Sequence, residues 1–280
     1  MINRQKIPIK KSMRMFLGDI VYKKKKRRRD VFKNGIRVLV YHSITDNLIE
    51  KEWEENTTPK DLFDKQLKYL KNNGYVAVSL EKVFAYIKNN VIIPDNTVAI
   101  TFDDGFRNNY TNALPILEKY KFPATIFITV DFLRDYSGSD LYLNCSEIKN
   151  MIKSGLISFG SHGLTHRALT TVKKRELDKE ISLSKERLEN IINNKTIFFA
   201  YPFGHSGSYN SNIKQMLKRH GFKAAFTTIS GINNFKSDPF LLRRNRISWL
   251  DDLYEYEKHM RGAYDWCAIC EYLRYKKYRI

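Results

Sequence analysis

From residue 36 onward, short unbroken apolar runs alternate with stretches of helical periodicity. The apolar runs fall at 36–41, 76–79, 97–102, 124–128, 157–160, 197–201, 224–228 and 241–247. Helical patterns lie near 59–73, 80–90, 110–120, 146–154, 173–193, 210–220 and 251–275. Strands that read as continuously apolar are buried on both faces, and strands separated by helices pair in parallel. The pattern therefore predicts an α/β chain with a parallel sheet covered on both faces, closed or nearly closed as a barrel. Local signals agree. Thr58 before Pro59, and Ser79 before Leu80, read as helix N-caps. Gly74, Gly155 and Gly221 stand just past the last periodic residue of a helix, where a left-handed C-cap favours glycine.

A chain of 280 residues is long enough for one large core. Residues 36–250 are read as that domain, 1–35 as a basic arm that is flexible or lies on a membrane surface, and 251–280 as a C-terminal helical extension. Three cysteines, Cys145, Cys267 and Cys270, are too few for a disulfide framework, and no run approaches the length of a membrane span. The Cys267–Cys270 pair has no partner pair and reads as packing on the last helix. The apolar patch at 13–22 is broken by Arg14 and Asp19 and is followed by no small-residue cleavage site. A cytoplasmic location, peripheral to the inner face of the membrane, is the expectation.

The net charge of +19 is unevenly placed. Residues 1–36 hold 13 Lys and Arg against Asp19 and Asp30, which is +11 of the total. The seven consecutive cations at 23–29 repel one another and favour an extended, solvated segment. One reading of the arm is solvation alone. The other is an anionic membrane surface: Met13, Phe16, Leu17, Ile20 and Val21 fall at helical spacing, and each nearby cation adds on the order of 1 kcal/mol of attraction. Nucleic acid is disfavoured, because no recognition helix or RNP-type aromatic motif accompanies the charge.

In a parallel barrel, catalytic groups gather at the C-terminal ends of the strands. His42 follows the apolar run at 38–41, as a strand-end structural histidine or as a chemical one. TFDDG at 101–105 ends a strand in two carboxylates and a glycine. Neighbouring strand residues point to opposite faces, so Asp103 and Asp104 serve one site only if the strand breaks there; the other reading is a turn with a helix cap. SHGLTH at 161–166 places His162 and His166 four residues apart, a spacing that can bind one metal ion; the other reading is a chance pair of surface histidines. Two histidines and an aspartate leave an open coordination position for water. AYPFG at 200–204 marks a sharp turn that exposes a backbone N–H, and Arg243, Arg244 and Arg246 crowd a segment otherwise patterned for burial.

These motifs, in this order, resemble the polysaccharide deacetylases with the NodB-homology domain, carbohydrate esterase family four. The resemblance runs from about residue 36 to about residue 250 and includes the segment 110–128. It implies a distorted (β/α) barrel of about seven parallel strands. It also implies metal-dependent removal of an N-acetyl group from an amino sugar in a glycan or glycan precursor. By position, Asp104, His162 and His166 match the metal ligands, with Zn2+ first and Ni2+, Co2+ or Mn2+ as alternatives. Asp103 matches the base, and Phe203, where the family has tyrosine, supplies an oxyanion N–H; Tyr201 is grouped with it as an oxyanion or substrate residue. The Leu-x-His acid of many members is missing, but Y41-H-S-I44 matches the subgroup similar to poly-N-acetylglucosamine deacetylases, which carries that histidine on the first strand. His42 is then the acid.

Three departures stand out. Gly163 replaces a Ser or Thr, which removes a loop hydrogen bond. Ala200 or Tyr201 stands where many members have an arginine, so Arg244, with Arg246 second, is expected to pair with Asp103. Cys145 replaces a frequent tryptophan of the sugar groove. Other readings are a deformylase or deacetylase of a small sugar on a lipid carrier, and a carbohydrate-binding relative without catalysis.

Overall fold

The computed structural model describes residues 9–26, 35–47 and 56–275. In chain order its helices are α1 (Ile9–Lys26), α2 (Lys60–Asn72), α3 (Leu80–Lys88), α4 (Leu114–Tyr120), α5 (Arg134–Ser137), α6 (Cys145–Lys153), α7 (Lys174–Ile192), α8 (Ser211–Arg219), α9 (Leu253–Met260) and α10 (Cys267–Tyr275). Its strands are β1 (Arg37–Tyr41), β2 (Ser43–Ile44), β3 (Thr57–Thr58), β4 (Val76–Ala77), β5 (Thr97–Phe102), β6 (Ala124–Ile128), β7 (Ile157–Ser161), β8 (Phe198–Ala200), β9 (Ala224–Phe226) and β10 (Asn245–Arg246).

Seven strands follow one path, β10-β1-β5-β6-β7-β8-β9, and every pairing in it is parallel. β4 pairs along the start of β5, and β2 and β3 form a separate small sheet. The two ends of the path approach each other where Phe226 bridges Leu242 in parallel. This curled, half-closed sheet with its helices is the distorted (β/α) barrel that the alternating pattern predicts.

Each strand feeds two cores, because successive side chains alternate in direction. Val38, Ala99, Phe127, Phe198, Ala200, Phe226 and Leu242 pack together on the concave face. Leu39, Tyr41, Ile100, Phe102, Ile126 and Phe159 pack on the other face, beneath the helices. The central strands β1, β5, β6 and β8 therefore read as nearly continuous apolar runs, which carry no mark of which face is which.

Four local expectations are corrected. Thr58 lies in β3 and does not cap α2, whose N-cap position is Pro59 with no side-chain bond. Ser79 does cap α3, accepting from Lys82 N–H. The strand expected over 241–247 contracts to Asn245–Arg246, since Leu242 is spent on the bridge to Phe226. The single helix expected over 251–275 is broken at residues 261–266, where Gly262 takes φ +68° and its N–H returns to the His259 carbonyl.

The fourth correction concerns the arm. Lys23 and the three lysines after it continue α1 instead of extending; Arg27, Arg28 and Arg29 lie outside the described residues. Tertiary contacts hold the helix. Asp19 pairs with Lys258 at 3.0 Å and accepts from the Tyr254 hydroxyl at 2.8 Å, and Tyr22 is buried edge-on to Tyr254.

Candidate metal and catalytic site

The concave register of the strands continues into the site. Residues 97, 99 and 101 of β5 face inward, and Asp103 extends that series past the strand end. Asp104 would point outward if the strand went on. Instead Asp104 takes φ +71° and Gly105 φ +83°, which turns the second carboxylate back to the same side. His42 and His162 extend the inward registers of β1 and β7 in the same way.

Three non-glycine residues of the site are left-handed: Asp104 (φ +71°), His166 (φ +61°) and Phe203 (φ +63°). Such backbone costs about 1–3 kcal/mol per residue and persists where the surroundings impose it. All three side chains line one cleft of about 420 Å3, together with His42, Asp103, His162, Asn56, Thr228 and Arg246.

Asp104, His162 and His166 bring ligand atoms within 4.8 Å of one another. Asp104 Oδ1 lies 3.3 Å from His166 Nε2 and 3.6 Å from His162 Nε2. His162 Nδ1 bonds the Ala200 carbonyl at 2.8 Å, which directs Nε2 toward the carboxylate, the arrangement that orients a metal-ligating imidazole. The His166 ring sits between Phe132 and Phe203. Asp104 Oδ1 is buried without a hydrogen-bond partner. An orphaned buried carboxylate oxygen facing two imidazole nitrogens fits a divalent cation.

The electrostatics agree with that fit. Burial, then the Asp103 charge, raise Asp104 from 3.8 to about 8. Burial, then His162, lower His166 to about 3, and burial also lowers His162. Both ligand imidazoles are neutral at pH 7, as coordination requires. A pH dependence follows. Between about pH 4 and 8 the unfolded chain has already released the Asp104 proton while the folded, metal-free protein still holds it, so metal-free stability falls as pH rises through this window. A cation replaces that proton. The rise in Tm on adding zinc should therefore be larger at pH 8 than at pH 5.5; melts showing an equal or smaller rise at pH 8 would contradict the ligand set.

Asp103 is the opposite case. Burial alone would raise it, but Arg244, aided by His162, holds it at about 2. Arg244 is fully buried and grips both carboxylate oxygens, at 2.6 and 2.7 Å. Its Nε donates to the Thr227 carbonyl at 3.0 Å, and its guanidinium lies 5.2 Å from the Phe127 ring. Arg246 instead lines the cleft and donates to Asn56.

His42 lies in the same cleft. Asn109 donates to its carbonyl at 2.8 Å, and its Nδ1 has no hydrogen-bond partner. Burial is the main cause that lowers its pKa to about 3, with Arg246 and Arg244 adding to the fall and Asp103 opposing it. The Phe203 N–H meets no acceptor among the described residues, while its carbonyl accepts from the Thr228 hydroxyl at 2.8 Å.

Tyr201 is a correction. Ala200 faces the concave core, so Tyr201 turns to the opposite face, is fully buried, stacks on Tyr209 and donates to the Phe240 carbonyl at 3.0 Å. It does not reach the cleft. Cys145 begins α6 and is not among the cleft residues. The bond expected to be lost at Gly163 is made good by Glu180, which accepts from the N–H groups of Leu164 and Thr165 and from the Thr165 hydroxyl. Gly163 itself takes φ +84°, a conformation in which Ser or Thr would be strained. Asn56 and Thr228 carry no signal in the sequence: neither belongs to a motif, and only closure of the barrel brings them to the rim.

A curled parallel barrel with two histidines and one aspartate placed so that they could hold a cation, and an arginine-held carboxylate beside them at the C-terminal rim, fits a hydrolase class. The comparisons with known proteins agree. The polysaccharide deacetylase family profile matches residues 91–225. The Staphylococcus aureus poly-beta-1,6-N-acetyl-D-glucosamine N-deacetylase is 29% identical over 243 residues, covering 80% of this chain and 82% of its own. The Streptococcus pyogenes deacetylase PplD, solved in complex with acetate, superposes with a TM-score of 0.73 at 31% identity, over 81% of this chain and 99% of its own. IcaB from Ammonifex degensii shares the fold, with a TM-score of 0.69 at 22% identity over 82% and 97% of the two chains. The chain belongs to the polysaccharide deacetylase family and has its NodB-type fold.

Proposed function

We propose that the chain removes the N-acetyl group from an amino sugar in a glycan or glycan precursor, by metal-dependent hydrolysis. The observation that carries this reading is the convergence of Asp104, His162 and His166 within 4.8 Å, beside a second carboxylate, Asp103, that Arg244 grips through both oxygens. Asp104 faces two neutral imidazoles as a cation ligand, and Asp103 is kept ionised by Arg244.

Asp104, His162 and His166 would hold a divalent cation, with zinc first, and when bound it would supply the Lewis acidity that acidifies water and polarises an amide carbonyl. Asp103 accepts the proton of the attacking water. Arg244 orients Asp103 and keeps both of its oxygens in place. The Phe203 N–H donates to the oxygen that gains charge as the carbonyl carbon becomes tetrahedral. His42 donates the proton to the leaving amine nitrogen. Its imidazole is neutral at rest, so the proton it delivers is the one Asp103 has taken from the water, and both groups end the turnover as they began it. A carbohydrate-binding relative without catalysis would lack one of these groups; here all of them line one cleft except Arg244, which supports Asp103 from behind.

The test is acetate release by the zinc-loaded protein from nucleotide-linked, lipid-linked and oligomeric N-acetyl amino sugars. Acetate from at least one class is the expected result. Formate from N-formyl sugars with no acetate from any N-acetyl sugar would favour the deformylase reading. On the preferred substrate, His42→Ala should retain metal and lose roughly 10²- to 10⁴-fold in rate, and an unchanged rate would return His42 to a structural role.

A further inference from the structure

We propose that α1 is an in-plane docking element for an anionic membrane surface. Its two faces differ sharply. The inner face is fastened to the C-terminal helices: Gly18 lies so close to the Tyr264 ring that a Cβ there would clash, Arg14 stacks over the same ring at 4.5 Å, and Tyr22 is buried. Arg14 also meets His259 Nε2 at 3.1 Å, and Lys258 reaches the Met15 carbonyl. The outer face carries Met13, Phe16, Leu17 and Ile20, which are 59, 65, 37 and 42% exposed.

Spacings of three, four and seven residues put these four side chains in one stripe. A stripe of large apolar side chains that the described residues leave uncovered needs an occupant. The charge of the segment selects it. Residues 1–36 carry 13 Lys and Arg against Asp19 and Asp30, and Asp19 is already paired with Lys258. A helix with an apolar outer stripe, inside a strongly cationic segment, matches a surface that is apolar below and anionic above, which is an acidic phospholipid bilayer. A second copy of this chain would bring the same charge against itself.

Docking also bears on the site. Arg14 and Met15 line a small cavity together with Arg246, and Arg246 also lines the catalytic cleft. Through Arg246, α1 is thus one residue away from the catalytic cleft. The docking itself does not depend on the deacetylase reading, and its test reads binding alone.

The experiment is flotation of the full chain with phosphatidylcholine vesicles, with and without phosphatidylglycerol, for the parent, Phe16→Glu/Ile20→Glu and Phe16→Gln/Ile20→Gln. Both positions are exposed, and circular dichroism checks that the variants fold. The parent should float with the acidic vesicles and release them at high salt. Both variants should bind roughly tenfold or more weakly, with hydrolysis of a soluble substrate unchanged. The proposal is overturned if the parent stays with the protein fraction, if both variants float as the parent does, or if sedimentation shows a dimer that the variants dissolve.

Discussion

Asp104→Ala and His166→Ala should each emerge from dialysis without stoichiometric divalent ion, and each should lose hydrolysis to background. Three donor atoms from two strand ends converge within 4.8 Å, and removing one leaves two that cannot hold a divalent ion against water. The two variants differ in a useful way. In the metal-free protein Asp104 is a buried carboxyl pushed up to about 8, so at pH 8 its charge is a cost to the fold. Metal-free Asp104→Ala should therefore melt no lower than the metal-free parent at pH 8, which separates loss of the ion from loss of structure. Elemental analysis beside thermal melts reads both quantities. Full metal occupancy in either variant would remove Asp104 or His166 from the ligand set.

The second large effect is expected at Asp103. Asp103→Asn should keep the ion and lose roughly 10²- to 10⁴-fold in rate, because an amide cannot accept the proton of water. It should also lose stability. Arg244 is fully buried and satisfied chiefly by the carboxylate it grips through two short bonds. An amide oxygen accepts one of those bonds and leaves the guanidinium charge without its partner, a change that costs about 3–5 kcal/mol when a buried ion pair is broken. Arg244→Lys should also weaken the site, since an ammonium cannot reproduce the planar fork. Denaturant titration and rate measurements on the same preparations check this. A variant that is as active as the parent would show that Asp103 is not the base.

Much of the site was legible because its residues stand in short motifs at the ends of apolar runs. His42, Asp103, Asp104, His162, His166 and Phe203 all line the cleft, as the strand-end argument expects. Tyr201 was not legible in the same way. Phe198, Phe199, Ala200 and Tyr201 are all apolar or aromatic, so the run gives no sign that its even members face the concave core and its odd members the convex side. The choice between the two arginines had a similar origin. Arg244, just before β10, and Arg246, within it, stand two residues apart in one alternating series, and their depth differs: the first is sealed in the barrel against Asp103, the second stands at the rim beside Asn56.

By itself, the sequence determined the alternation of strands and helices, hence a parallel barrel, and it placed the chemistry at the C-terminal rim. It also located the helix ends at Gly74, Gly155 and Gly221, whose positive φ angles no other residue type adopts as readily. The tertiary structure alone decided what depends on distance in space. Arg244 meets Asp103 across 141 positions of chain, Thr228 and Asn56 reach the cleft only when the sheet curls, and the basic segment at 23–26 stays helical because α9 and Tyr264 hold α1 from one side. Local sequence encodes backbone preference and the period of burial, whereas partners so far apart are chosen by which side chains the closed sheet brings within bonding distance.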